Sequence, residues 1–429
     1  MSPAAGAPVF GHAMLEHFPL EPGVVYLNHG TVGVTPRVVM RARAAILDEI
    51  ERQPARYMIR ELMRPGTLMA QSPSARTPEP VPAPVRVLVP ELPVLPLPPL
   101  PRLRAAAERV AAFLGASGEG LVFVDNASSG VNAVLRSIDW QPGDEILIPD
   151  HAYGGVARAA AFIAGQRGAS VTSVAWPFPA HDSAAYVEAF ARAITPRTRL
   201  ALLDHVSSET ALVLPLAEMA AACRARGVAV LVDGAHAPGA IDVNLESLGV
   251  DWYAANLHKW CFAPRGCGVL WAAPERRAGL HPAVVSWGLE NHDWLQEFDW
   301  TGTRDPSPWL AAPAGLDFMR DVLGVDAMRE YNHRLAWQSA QRLARRWGRP
   351  WTTPESMVGC MVTVPLPERC GHADAATAQR LRDELLFAHG IEVPVIARSG
   401  ALWVRLSFQV YNDASDVDRL IQAAEAISG

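Results

Sequence analysis

The 429-residue sequence is short of cysteine, of net charge and of long apolar runs, and each shortage excludes something. Its five cysteines, Cys223, Cys261, Cys267, Cys360 and Cys370, form no CxxC pair. An odd count at those spacings predicts reduced thiols in a cytoplasmic protein, with neither a disulfide framework nor a zinc site. A net charge of −6 leaves no basic surplus for binding nucleic acid. The opening MSPAAGAPVFGHAML lacks the basic start and apolar run of a secretory signal, and no stretch is continuously apolar for the thickness of a bilayer. Aromatic residues are missing from positions 65–101, where 12 of the 36 prolines fall. A proline inside a helix costs about 3 kcal/mol, so this insert is expected to be extended and poorly ordered. Pro54, Arg56, Glu61 and Leu62 are echoed at Pro84, Arg86, Glu91 and Leu92. A solvated insert is the plainer reading of the segment, a PxxP docking stretch the alternative.

What is present is an ordinary globular composition, 50% hydrophobic and 19% charged, in a chain long enough for two domains. Short apolar runs are predicted as strands at Leu121–Val124, Glu145–Pro149, Ser170–Val174, Leu200–Leu203, Val228–Val232, Trp252–Ala255 and Gly268–Trp271. Helical patterns at Arg102–Gly115, Ser128–Ser137, Tyr153–Gly165, Ala184–Ala193 and Leu216–Arg226 precede or separate the first five. Near-continuous apolar strands between amphipathic helices argue for a buried, mostly parallel, seven-stranded sheet. The last two runs stand too close for a helical crossover, so one is expected to be antiparallel. Before the sheet, Pro36–Met63 reads as a helix. After it come helices at Trp309–Met319, Val325–Trp347, Ala375–Ala388 and Ala414–Ala426 and strands at Met357–Val364 and Trp403–Phe408, a smaller α+β unit. The expected division is an N-terminal arm at 1–35, a large domain at 36–284 and a small domain at 285–429.

Ligands of such sheets sit beyond the carboxyl ends of the strands. The polar residues there are Asp125-Asn126, Asp150-His151, Asp204-His205, Asp233 with His236, and Asn256 with His258-Lys259. One Asp-His pair alone would be read as structural, whereas five groups on one edge point to a site. Lys259, between His258 and Trp260, suits a buried amine better than a surface lysine. Asn126-Ala127-Ser128-Ser129-Gly130 opens a helix directly after a strand, where free amides and the helix dipole can hold a phosphate. A carboxylate, an amine and a phosphate cradle together suit pyridoxal 5'-phosphate, whose ring nitrogen Asp233 would keep protonated. Arg405, on an apolar strand, needs an anionic partner and fits a carboxylate, with a structural salt bridge as the alternative. Asn28-His29-Gly30 follows a short strand and reads as a turn or an anion-binding bend.

The segments Val232–Gly239, Asn256–Trp260 with Pro264–Gly268, Asn126–Val131, Asp150–Gly154, Trp300–Thr303 and Arg405–Phe408 with Tyr411-Asn412 together resemble the class V aminotransferase/cysteine desulfurase superfamily. Within it the resemblance is to the isopenicillin N epimerase-like group. It runs in matching order from about Tyr26 to the C-terminus, and the proline-rich insert departs from it. The resemblance implies an α/β enzyme of the PLP-dependent transferase fold type I, working as a homodimer on an amino-acid substrate. It makes Lys259 the Schiff-base lysine and Asp233 the partner of the ring nitrogen, and stacks His151 on the ring. Ser208 and His236 would bond the ring oxygen, where the family often has Asn and Gln. Ala127, Ser128, Asn256 and His258 would hold the phosphate, joined across the dimer by Thr303. Arg405 would clamp the substrate carboxylate, with Asn28, His29 and Tyr153 nearby.

Epimerisation is the expected reaction, with carbon–sulfur β-lysis or amino transfer as alternatives and a silent binding protein as the non-enzyme one. A persulfide-forming desulfurase needs a cysteine on the loop before the clamping arginine. Ile391–Gly400 offers none. Trp287, Trp300, Arg304 and Arg398 are further candidates for the pocket wall.

Overall fold

The computed structural model describes residues 9–63, 101–291 and 293–428. Residues 65–100 of the expected insert lie outside them. At the centre stand seven strands: β2 (Leu121–Val124), β3 (Glu145–Pro149), β4 (Ser170–Val174), β5 (Thr198–Asp204), β6 (Ala229–Asp233), β7 (Trp252–Asn256) and β8 (Gly268–Ala272). Their order across the sheet is β2-β8-β7-β6-β5-β3-β4. Only β8 runs against its neighbours β2 and β7, as the short link from β7 requires. The inner strands lack polar alternation because both faces are covered. Phe123, Leu147, Leu203, Val230 and Val232 belong to the core on one face, and Val122, Ile146, Leu202, Leu231 and Leu270 to the core on the other. Each such side chain contributes about 1.5–3 kcal/mol by leaving water.

A second, antiparallel sheet is made of β9 (Met361–Pro365), β12 (Ala401–Ser407) and β11 (Val395–Arg398). Helices Val325–Trp347, Ala375–His389 and Ala414–Ser428 share a core with it. The N-terminal arm joins this layer. Its strand β1 (Val25–Tyr26) pairs in parallel with β10 (Ile391–Glu392), and Asn28 bridges to Ser407. That pairing carries the Asn28–Gly33 turn over the carboxyl end of the large sheet.

Two helices differ from expectation. The pattern from Pro36 to Met63 gives a helix only over Arg37–Arg52; Gln53 leaves helical geometry at φ −148° and Pro54 starts a new turn. The one expected at Trp309–Met319 is broken into Ser307–Leu310, Ala312–Asp317 and a π-turn over Phe318–Leu323. Pro313 begins the second piece, and Gly315 lies too close to the Cys261 carbonyl to carry a side chain. Among the described residues no helix is long and apolar enough to cross a membrane.

Candidate active site

Strands β5, β6 and β7 end in Asp204, Asp233 and Asn256, and parallel pairing sets Asp204 beside Asp233. Beyond β7 the chain reverses through Leu257–Phe262. The amides of Leu257 and His258 both donate to the Cys267 carbonyl, at 3.1 and 3.2 Å, and His29 Nε2 donates to the Lys259 carbonyl at 3.0 Å. Gly33, at φ +69°, abuts the His258 backbone where a β-carbon would not fit. So held, Lys259 turns inward and is 8% exposed. Its Nζ lies 3.0 Å from His236 Nε2. Burial lowers the amine to about 7; Asp233 opposes the shift and Arg405 adds to it. The buried His236 is held well below its ordinary value by burial and then by the Lys259 charge, so it stays neutral. Burial pushes the Asp233 carboxyl up, and the Ala235 amide, donating to Oδ1 at 3.0 Å, and Lys259 pull it back.

The helix Ala127–Ser137 starts where β2 ends, and Asn126 caps it by accepting from the Ser129 amide at 3.0 Å. The Ala127 amide donates to Asn256 Oδ1 at 2.8 Å. Ala127 and Asn256, both expected to hold a phosphate, therefore hold each other through these atoms, and Ser128 is the next residue of the helix to line the cavity. His258 donates from Nδ1 to the Cys267 carbonyl at 3.0 Å, and burial lowers it to about 4. Its Nε2 is then an acceptor, and a phosphate dianion there would draw a proton onto the ring.

Across the cavity Arg405 is buried on β12. Nη1 donates to the Ser208 carbonyl at 2.6 Å, and Nη2 donates to Thr31 Oγ1 at 2.6 Å and Asn28 Oδ1 at 3.2 Å. Its Nε has no hydrogen-bond partner among the described residues. Asn28 Nδ2 donates to Glu392 at 2.7 Å. Among the described residues no carboxylate bonds this guanidinium, so the structural salt bridge considered for it is not what is found.

These groups line one cavity of about 640 Å³, within the range of small-molecule sites. It brings together Asn28, Ala127, Ser128, Tyr153, Ser208, Asp233, His236, Asn256, His258, Lys259 and Arg405. Three expected residues stand elsewhere. His29 is wholly buried, with Nδ1 2.9 Å from the Tyr411 hydroxyl and Nε2 spent on Lys259, so it steadies the lysine turn and does not line the cavity. His151 is buried and does not line the cavity, edge-on to Trp176 and Phe178, with Nδ1 2.9 Å from Thr210 Oγ1 and Nε2 3.6 Å from Asp150 Oδ1. Thr303 is exposed and away from the cavity of its own chain. Arg304 pairs with Asp125 and lies 3.9 Å from the Trp309 ring centre. Arg398 reaches Asp150 and Glu209, and neither Trp287 nor Trp300 lines the cavity. Thr31, Glu209, Arg382 and Glu392, which do line it, were not anticipated. Thr31 follows Asn28 by one helical turn, a signal that was readable; Glu392 sits on a two-residue strand that leaves no pattern. A simpler signal was also there, because Lys259 is the only lysine in the sequence.

The chain matches the family model described as aminotransferase class-V over residues 101–420. It is 31% identical to the isopenicillin N epimerase of Streptomyces clavuligerus, covering 96% of each chain. It is 34% identical to a probable chloroplastic L-cysteine desulfhydrase of Arabidopsis thaliana over 71% of this chain and 69% of that one. A solved structure of a C-DES mutant with glycine covalently linked to the PLP cofactor superposes with a TM-score of 0.72 at 22% identity, covering 96% of this chain and 99% of that one. The chain belongs to the class V aminotransferases, a pyridoxal 5'-phosphate-dependent family. The residues present fit that cofactor: a buried amine of lowered pKa, a buried carboxylate at a strand end and a capped helix start meet in one cavity.

Proposed function

We propose that the protein is a pyridoxal 5'-phosphate enzyme that acts at the α-carbon of an amino acid, with epimerisation as its reaction. The observation that carries this reading is the Lys259 amine, buried, lowered to about 7 and facing Asp233 and His236 across from Arg405. Lys259 would bond the cofactor, Asp233 would pair with its ring nitrogen, and Ser128 with His258 would hold its phosphate. Bound there, the cofactor withdraws electrons from the substrate's α-carbon, so that a proton or a β-substituent can leave. Lys259 Nζ is the amine placed to take and return that proton, with neutral His236 as its partner. Arg405 offers a planar fork to the substrate carboxylate. An epimerase needs a second proton donor, and Tyr153 supplies a hydroxyl on the cavity wall.

One observation favours epimerisation: the isopenicillin N epimerase relative matches along nearly the whole of both chains. All five cysteines are buried and none lines the cavity, which argues against a persulfide-forming desulfurase and bears on neither epimerisation nor β-lysis. Carbon–sulfur β-lysis is the second reading, favoured by the desulfhydrase relative. Incubation with a panel of L-amino acids and cysteine conjugates in deuterium oxide separates them. Exchange at the α-carbon with inversion and without pyruvate supports the epimerase; pyruvate with released sulfur gives first place to the lyase. A protein that takes up no pyridoxal 5'-phosphate would refute both.

A further inference from the structure

Of the acids that line the cavity and that the proposed reaction does not use, Glu209 and Glu392 are partly or fully exposed and Asp204 is the buried one. It ends β5 as Asp233 ends β6, and the two are direct partners in the parallel register, so their side chains leave the sheet on the same face. Both are buried, at 2% and 3% exposure, and both line the cavity. Among the described residues no donor reaches Asp204 Oδ2. Two carboxylates side by side in a dry site cannot both stay ionised, because each charge raises the cost of the other. The groups facing the pair do not remove that conflict. Lys259 and His236 come from the loops beyond β7 and β6, and the Lys259 amine sits near neutrality. On β7, Tyr253 points its hydroxyl at His205 Nδ1, 2.7 Å away, and burial keeps both neutral. Burial first, and the Asp233 charge second, push the Asp204 carboxyl well above its ordinary range.

We propose that Asp204 and Asp233 form a carboxyl pair that shares one proton, with Asp204 as the positioning residue that limits the site to a single negative charge and steadies Asp233 toward the cofactor's ring nitrogen. The shared proton rests on the geometry of the unloaded protein; the consequence for the cofactor rests on the function proposed above. One negative charge matches one protonated ring nitrogen, whereas two would leave an uncompensated charge in the site.

The first test uses the full-length protein without cofactor. Infrared spectra at neutral pH should show the carbonyl stretch of a protonated carboxylic acid, and Asp204→Asn, matched for thermal melting, should remove it. Absence of the band from the unaltered protein, or its persistence in Asp204→Asn, overturns the shared proton. The second test is the affinity of the apoprotein for pyridoxal 5'-phosphate. Asp204→Asn, which keeps a donor beside Asp233, should bind within a few-fold of the unaltered protein, and Asp204→Leu should bind at least tenfold more weakly while melting normally. Equal affinity in Asp204→Leu, or an equal loss in both variants, overturns the positioning role. If Asp204→Leu does not fold, an Asp204→Asn loss of more than tenfold overturns it alone. Failure of the unaltered protein to bind pyridoxal 5'-phosphate refutes the proposed function instead, and the infrared result still decides the pair.

Discussion

Lys259 concentrates the residue-scale argument, because its environment and its chemistry point the same way. An ordinary lysine amine becomes neutral only near pH 10.4, whereas burial brings this one to about 7. The protonated form is the one that burial disfavours, so nucleophilic capture of pyridoxal 5'-phosphate by the apoprotein should speed up as pH rises through about 7 and level off above it. Stopped-flow absorbance between pH 5 and 10 checks this; a rate still climbing at the alkaline end would mean an ordinary lysine. Arg405→Lys keeps the charge and loses the fork. Loss of a hydrogen bond to a charged group costs about 1.5–3 kcal/mol, so KM for the amino acid should rise roughly 10- to 150-fold with kcat less affected. At this scale the sequence was most informative where a side chain's chemistry is unusual in its neighbourhood, as at Lys259, Asp233 and Arg405. It could not show that His29 and His151 stand off the cavity lining, since a histidine beside a motif looks the same whether its ring faces the cavity or is bonded elsewhere, as His29 is to Tyr411 and the Lys259 carbonyl and His151 to Thr210.

At the scale of elements, the site depends on how three strand ends and two turns are tied. Asn256 links β7 to the helix at Ala127 through one bond at 2.8 Å. Asn256→Ala leaves a buried amide unpaired, at a cost of about 1–3 kcal/mol. It should lower the melting temperature and weaken cofactor phosphate binding together, whereas Asn256→Asp, which keeps the acceptor, should recover most of the stability. Gly33→Ala would set a β-carbon against the His258 backbone at a positive φ. It should destabilise by more than the ~1 kcal/mol that helix-interior glycine exchanges involve, measured by chemical denaturation; an unchanged midpoint would show that the lysine turn is looser than described. Strands β2 and β3 have the very limits that their apolar runs mark, because burial along the whole strand leaves an unbroken pattern. The pairing of β1 with β10 was not legible, since two-residue strands are decided by the parts of the molecule they join. The break at Gln53-Pro54 was missed by the single helix expected over Pro36–Met63, although a proline after a helical run marks a helix end.

At the scale of the whole molecule, the described residues leave an apolar face uncovered. Val284, Val285, Trp287 and Leu289 are exposed, and Val284 shares a groove with Thr301 and Arg304 next to Thr303. We propose that a second copy covers this face and that Thr303 reaches the partner's cofactor phosphate. Sedimentation should give a dimer for the unaltered protein and a shift toward monomer with reduced cofactor affinity for Trp287→Glu; a monomeric unaltered protein would contradict it. The central claim, that this cavity carries pyridoxal 5'-phosphate on Lys259, has a direct test, because the sequence holds no other lysine. The loaded protein is reduced with borohydride, digested and mapped by mass spectrometry. A pyridoxyl group on the peptide containing Lys259 is the predicted result; no label, or label confined to the N-terminal amine, would contradict it.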